Sequence, residues 1–458
     1  MMVFVRGLFE RSDAAGWSVP VALKSFFDQI SDLYKNADQA ALRDAAAKKE
    51  FVKKCGLAFQ NERFAFYEKG ARLEETLDIS KAEILSAFDA FIAAAENSIK
   101  ANKRSDGLYH SYNTLSINSD GMEIGYLEEM LEGQVAVLSS GLLSARECAD
   151  LFAALEKSAM YEERQRSYML YPSKELPRFV KKNIVPKSEA QKIPALKAEL
   201  ERGWTAPDEG SLVYNDAVDS NAVHFNPDFR NANVLLDAAA RIYPDLPQEQ
   251  KDQLAALYEK TFDHKKFTGR SGTFYAFEGI GSIYWHMVSK LLLAAQENFF
   301  AAVNAKDPAA KELGERYYKI RDGLSFNKTP ELYVAFPIDP YSHTPHLQGA
   351  KQPGMTGQVK EEVITRWGEL GMEINEGKLK INPALLLKKE FGADGKLSFT
   401  RFGTPFEYTL SDGAEVKISV DSNTFGAELN EDLSRDLFER KGRVKRVQVE
   451  IPNAAIFD

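Results

Sequence analysis

Apolar residues recur at helical spacing through the first hundred positions. Leu23, Phe26, Phe27 and Ile30 form one stripe and Ile84, Leu85, Phe88, Phe91 and Ile92 another, in a segment rich in Ala, Lys, Glu and Leu. Spacings of three and four residues predict several long amphipathic helices between Val19 and Ala101. The stretch from Ser105-Asp106-Gly107 to Asn118-Ser119-Asp120-Gly121 interrupts them and reads as a loop. A helix is predicted from near Glu123, with Ile124, Leu127, Leu131, Val135 and Leu138 on its apolar side, and Ser144 caps the next one through Leu151 and Leu155. Between Tyr168 and Asn233 the pairs Tyr171-Pro172, Leu176-Pro177 and Asn226-Pro227 punctuate the chain. Proline lacks an N–H and its ring clashes with the preceding turn, so this region predicts loops, placed at the mouth of a cavity. Helical pattern returns at Ala232–Ile242, Gln248–Phe262, Ile280–Ala302 and Ala309–Arg321, and again after Gly354.

Beyond Ile381 the period changes to two. Leu397 and Phe399, then Phe406, Tyr408 and Leu410, then Val416, Ile418 and Val420 alternate with polar residues, and Val447, Val449 and Ile451 repeat the pattern. Asp394-Gly395 and Asp412-Gly413 supply turns between the runs. Helices followed by strands predict a mainly α chain, with helical hairpins over residues 1–380 and a β-rich module over 381–458, and argue against a Rossmann-like sheet.

Charge and cysteine content narrow the partners. The 458 residues carry a net charge of −9, which excludes broad nucleic-acid affinity, because phosphate backbones need clustered Lys and Arg. Cys55 and Cys148 are the only cysteines, so neither a disulfide framework nor a thiolate metal cluster is expected. The start, Met-Met-Val-Phe-Val-Arg, meets charge too early for a signal peptide, and no apolar run reaches the roughly 20 residues of a bilayer span. A cytoplasmic protein without membrane contact is the expectation.

Two segments stand out as candidate chemistry. On the predicted helix from Ile280, Ser282, His286 and Ser289 share a face opposite Ile283, Tyr284, Met287, Val288, Leu291 and Leu292. That face suits either a polar cavity or a core histidine satisfied by a carbonyl. The segment 337–358 gathers His343, His346, Gln348, Lys351 and Gln352 ahead of Gly354 and Thr356, where a helix is predicted to begin. A helix start offers free N–H groups and a positive dipole end to an anion; ordinary turn chemistry with a capping Thr is the alternative. His343 and His346 have no Glu or Cys set at metal spacing beside them, so no metal is expected. Asp339 and the pairs Glu128–Glu129 and Glu361–Glu362 are candidates for acid–base work on a sugar, although most helical Glu residues only solvate a surface.

In this order the segments resemble the C-terminal half of the cellobiose and chitobiose phosphorylase family. Asp106-Gly107-Leu108-Tyr109 is similar to its Asp-Gly-Trp-Tyr stretch, and Gln134 through Gly141 to its Gln-Ser-Trp-Ala-Val-Leu-Ser-Gly helix. Glu278-Gly279-Ile280-Gly281-Ser282-Ile283-Tyr284-Trp285-His286 resembles Glu-Asn-Gly-Gly-x-Tyr-Thr-His, with Gly279 in place of the Asn. Tyr333-Val334-Ala335 through Pro340-Tyr341-Ser342 to Thr356-Gly357 continues the likeness, as does Gly377 through Pro383, similar to Gly-Leu-Arg-Ile-Asp-Pro.

The resemblance implies an (α/α) toroid of helical hairpins, here incomplete, and inverting phosphorolysis of a β-linked oligosaccharide. It implies no cofactor, with inorganic phosphate as co-substrate held by His286 and the Thr356-Gly357 backbone and assisted by Arg270 and Gln352. Tyr109, Tyr341, His343, His346 and Gln348 are the expected sugar contacts. The family's Gly-Asp-Trp-Asn-Asp acid motif and its N-terminal β-sandwich do not occur in this sequence. Asp339, Glu278 and Asp106 are therefore the candidate acids, and a homodimer or pairing with a missing N-terminal part is expected. An inverting hydrolase on the same scaffold and a sugar-binding subunit without chemistry are the competing classes.

Overall fold

The helical periodicity and the switch to a period of two both reappear in a computed structural model. It describes residues 1–68, 75–174, 178–208, 210–263, 280–324, 327–335, 341–353 and 357–457. The chain divides into two compact units, Met1–Pro172 with Ser282–Asp458, and Ser173–Gly281.

In the first unit the early apolar stripes fold as the helices Met2–Arg11, Val21–Lys35, Ala45–Glu68 and Lys81–Ala101. Their rings interlock edge to face, Tyr34 against Phe51 at 5.2 Å and against Phe91 at 5.1 Å. Ser80 and Glu83 close a capping box at the start of Lys81–Ala101, as Ser144 and Glu147 do for Ala145–Lys157. The strands Gly16–Pro20 and Thr76–Ser80 pair antiparallel beside these helices.

The helix predicted from Glu123 is a hairpin instead. Thr114–Ile117 pairs with Met122–Gly125, and helix begins only at Leu131. The Asn118 carboxamide oxygen accepts from the Asp120 and Gly121 N–H groups, which closes the turn and commits the flanks to strands.

Trp285–Asn304 is the central helix of this unit, with Met287, Val288, Leu291, Leu292, Ala295 and Phe299 buried. It packs against Leu131–Leu138, Ala310–Asp322 and Gly357–Glu369. Its start differs from expectation, because Ser282–Tyr284 is a strand and Ser282 lies outside the helix. Gly281 adopts φ +61, and the β-favouring Ile283 and Tyr284 then pair with Thr344 and His343. Among the described residues, no helix is long and apolar enough to cross a membrane.

The C-terminal alternation becomes a five-stranded sheet. Thr404–Ser411 runs parallel to Val447–Pro452, and the other pairs in the sheet are antiparallel. Phe406, Tyr408, Ile418, Val447, Val449 and Ile451 form its core together with Leu379 and Ile381. The chain is thus mainly helical with a C-terminal sheet.

The second unit occupies the proline-punctuated region that predicted cavity-mouth loops. It has a core of its own, in which Leu196, Leu212, Val223, Phe225, Leu235, Leu254 and Tyr258 are buried. The prolines delimit short elements rather than preventing a core: Pro194 opens the helix Pro194–Glu201, and Pro186 ends the strand Val185–Pro186, which pairs with Ala222–Phe225. The helices Ala232–Ile242 and Gln248–Phe262 fold as the periodicity predicts.

Candidate functional site

The first unit brings together the two segments singled out in the sequence. Ser282–Tyr284 pairs with Tyr341–Pro345, which pairs in turn with Lys351–Pro353, so that Tyr284, His343 and Lys351 are successive cross-strand partners. Cross-strand partners project on the same face of a sheet, and the Tyr284 and His343 rings stack at 4.8 Å. The opposite face is apolar and internal: Ile283 and Thr344 are buried, and the Trp285 indole donates to Thr344 Oγ1 at 2.9 Å.

Chain direction then places His286 one residue into its helix. Its Nδ1 lies 3.2 Å from the Tyr284 hydroxyl and its Nε2 lies 3.6 Å from Glu361 Oε1 on Gly357–Glu369. Ten residues further along, Gln296 donates to the Thr365 carbonyl at 2.8 Å. The two helices therefore run in the same direction, with their N-termini at one end. Their dipoles and free N–H groups reinforce each other there.

Burial holds the His286 imidazole below its usual pKa, assisted by Lys290, while Glu361 opposes the shift. With Nδ1 against a phenol, the neutral ring has Nε2 as its remaining polar atom. His286 Nε2 and Glu361 Oε2 are both buried atoms without a hydrogen-bond partner. At the next position in the chain, burial pushes the Glu362 carboxyl up to about 7, against a hydrogen bond from Gln358 and the charge of Arg321. Further down the same helix Glu369 is saturated. Glu369 takes Tyr317 Oη at 2.6 Å, Arg321 Nε at 2.6 Å and Arg366 Nη1 at 2.7 Å. Those groups are structural.

The remaining sequence candidates divide. His346 and the exposed Gln348 border a narrow cleft with Glu162, Gln165 and Thr344. Tyr341 lies against Tyr333, with ring centres 5.8 Å apart. Asp106 is exposed and takes three hydrogen bonds from Arg104, which hold the carboxyl below the usual range, the opposite of what a general acid needs. Tyr109 is 4% exposed, and its main chain exchanges hydrogen bonds with Gln134, so it packs the core and offers no ring to a sugar. Asp339, Glu278, Arg270 and Thr356 lie outside the described residues, as does the Gln352 side chain; Gly357 is the first residue of its helix.

Lys328 escaped the sequence reading. It is buried, donates to Gln165 Oε1 at 3.1 Å, and sits 4.6 Å from the centre of the Trp285 ring. Burial pushes its amine down to about 7. No spacing signal marks a lone Lys between two helices. Glu362 did carry one, because Gln358, Glu362, Thr365 and Glu369 form a polar stripe where an apolar one is usual. Among the described residues, no group of His, Cys, Asp and Glu is arranged to hold a metal.

Residues 176–265 match the GH149 phosphorylase insertion domain 2. The matched stretch lies within the second compact unit, Ser173–Gly281. No curated protein matches the chain. The insertion-domain match supports a glycoside phosphorylase-like, carbohydrate-active protein, and it does not single out the cellobiose and chitobiose phosphorylases.

Proposed function

We propose that the chain is the catalytic part of an inverting glycoside phosphorylase, with its helices belonging to an (α/α) toroid and a β-linked oligosaccharide as substrate. The observation that carries this reading is the match of residues 176–265 to a phosphorylase insertion domain. The geometry at His286 supports it, because an imidazole N–H and two parallel helix starts suit an oxyanion.

In this reading inorganic phosphate lies between His286 and the backbone at Thr356-Gly357, with Arg270 and Gln352 assisting. A phosphate oxygen attacks the anomeric carbon as the bond to the glycosidic oxygen breaks, and a carboxylic acid protonates the departing oxygen. The products are a sugar 1-phosphate of inverted configuration and a shortened saccharide. Asp339 and Glu278 are the candidate acids. Tyr341, His343, His346 and Gln348 would contact the sugar.

A hydrolase reading has one observation in its favour, the carboxyl of Glu361 beside His286, with the buried Glu362 carboxyl following it in the same helix. An inverting hydrolase needs a second carboxylate to activate water. The deciding experiment incubates the chain with β-linked gluco-oligosaccharides, with and without inorganic phosphate. Phosphate-dependent release of sugar 1-phosphate supports the proposal. Free sugar released without phosphate supports the hydrolase, and no product in either case leaves a sugar-binding role.

A further inference from the structure

The His286 site contains a group that an anion site does not ordinarily tolerate. Glu361 is 6% exposed, and its Oε2 has no hydrogen-bond partner among the described residues. A carboxylate only accepts hydrogen bonds, and leaving it buried without donors costs the full desolvation of the group. His286 Nε2, at 3.6 Å from Oε1, is beyond hydrogen-bond range. Among the described residues none supplies that donor, and a ligand with an O–H can.

Direction decides where that ligand lies. Side chains on a helix tilt toward its N-terminus, so Glu361, four residues after Gly357, leans toward the helix start. That end also holds the start of Trp285–Asn304 and the positive charges of Lys290 and Lys360, both of which act on His286. The surroundings attract an anion, while one wall accepts a hydrogen bond. Both conditions are met by an oxyanion that still carries a hydrogen.

We propose that Glu361 accepts a hydrogen bond from the proton that inorganic phosphate retains at neutral pH, so that the site takes phosphate and rejects sulfate. This rests on reading the His286 site as the phosphate site. Phosphate presents one O–H and several bare oxygens, and the O–H faces Glu361 while the bare oxygens face His286 Nε2 and the helix starts. The oxygen that attacks is then an unprotonated one. Sulfate has the same shape and double charge but no hydrogen at pH 7, so it sets lone pairs against the carboxylate. The amides and cations favour both anions alike, and Glu361 is the repulsive element against one of them. Sites built to bond a ligand hydroxyl reject the analogue lacking it by up to about 10⁴-fold.

Calorimetric titration of the full chain with inorganic phosphate, arsenate and sulfate at pH 7 tests this, on the wild type and on Glu361→Gln, with thermal melts to establish that the variant folds. Phosphate and arsenate, which both keep a proton, should bind the wild type, and sulfate should bind at least about 100-fold more weakly. Glu361→Gln turns an acceptor partly into a donor and should narrow the phosphate-to-sulfate ratio by roughly 10- to 100-fold. Equal binding of phosphate and sulfate by the wild type, or a folded Glu361→Gln with an unchanged ratio, overturns the inference and leaves the phosphate reading standing. Failure of all three anions to bind the wild type overturns both. The wild-type ratio decides the matter even where the variant does not fold.

Discussion

His286 and Glu361 face each other across the starts of two parallel helices, Nε2 to Oε1 at 3.6 Å, with Nε2 and Oε2 both buried and without hydrogen-bond partners. If His286 binds phosphate as proposed, removing the imidazole removes one preorganised donor and should cost about 10²-fold or more in turnover. Initial rates of sugar 1-phosphate release for His286→Ala, across a range of phosphate concentrations, check this, and His286→Gln should recover part of the rate by restoring an N–H. An Ala variant with wild-type rates would move the phosphate site elsewhere.

Glu362 gives unit 1 a defined pH response. Its folded carboxyl is pushed up to about 7 by burial, above the unfolded value, so between about pH 4.5 and 7 the folded chain holds a proton that the unfolded chain has released. Stability from this group is complete below the window and falls as pH rises through it, by roughly 3 kcal/mol in all. Glu362→Gln keeps the acceptor for Gln358 and removes the charge. Urea denaturation should show the variant near wild type at pH 5 and more stable at pH 8; equal midpoints at both pH values would refute the assignment.

Lys328 acts with the opposite sign. Burial lowers its amine to about 7, so from about pH 7 to 10 the unfolded chain binds a proton that the folded chain lacks, and wild-type stability rises with pH. Replacing it by Met removes that linkage. The stability of Lys328→Met relative to wild type should fall by about 1.4 kcal/mol for each pH unit in this window, read from denaturation midpoints at pH 7.5 and 9. A pH-independent difference would count against a buried neutral amine.

The long periodic elements were legible because packing there follows the same spacing that the sequence displays. Gln248–Phe262 and the alternation through Phe406, Tyr408 and Leu410 are examples. Two local choices were not. Ile124 and Ile283 fit a helical stripe, yet each sits in a strand, because the Asn118 turn and the positive φ of Gly281 fix the backbone before periodicity applies. At the site, His286 stood out by its polar neighbours. Glu361 stood out only as one of an adjacent acidic pair, because a surface glutamate and a buried one look alike in sequence, and only the partner helix distinguishes them.

Gly368 sets how closely the two site-bearing helices approach. A Cβ built there would lie 2.2 Å from Gln296 Oε1, inside the side chain that bonds the Thr365 carbonyl. Gly368→Ala should therefore cost roughly 1–3 kcal/mol by overpacking and weaken phosphate binding by shifting Glu361 from His286. Adding Gln296→Ala makes room and should restore part of the melting temperature. A single variant that melts with the wild type would show that the helices can separate freely.

The second unit leaves and returns at a single place in the chain. A Cβ on Gly281 would lie 3.0 Å from Ser173 Oγ, so the ends of Ser173–Gly281 meet, and in the first unit Leu170 N donates to the Ser282 carbonyl at 2.8 Å. Neighbouring strands stand about 5 Å apart, a span that a linker of about three residues covers easily. Joining Pro172 to Ser282 through Gly-Ser-Gly should leave the first unit with its own cooperative melt, because Trp285–Asn304 and the C-terminal sheet keep their cores. Residues 173–281 alone should melt cooperatively on the core around Leu196, Phe225 and Leu254. Comparing oligosaccharide turnover of the spliced chain with that of the intact one then separates the roles. Unchanged kcat with a raised KM would assign the matched insertion domain to substrate capture, and loss of kcat at full folding would assign it a part in the chemistry.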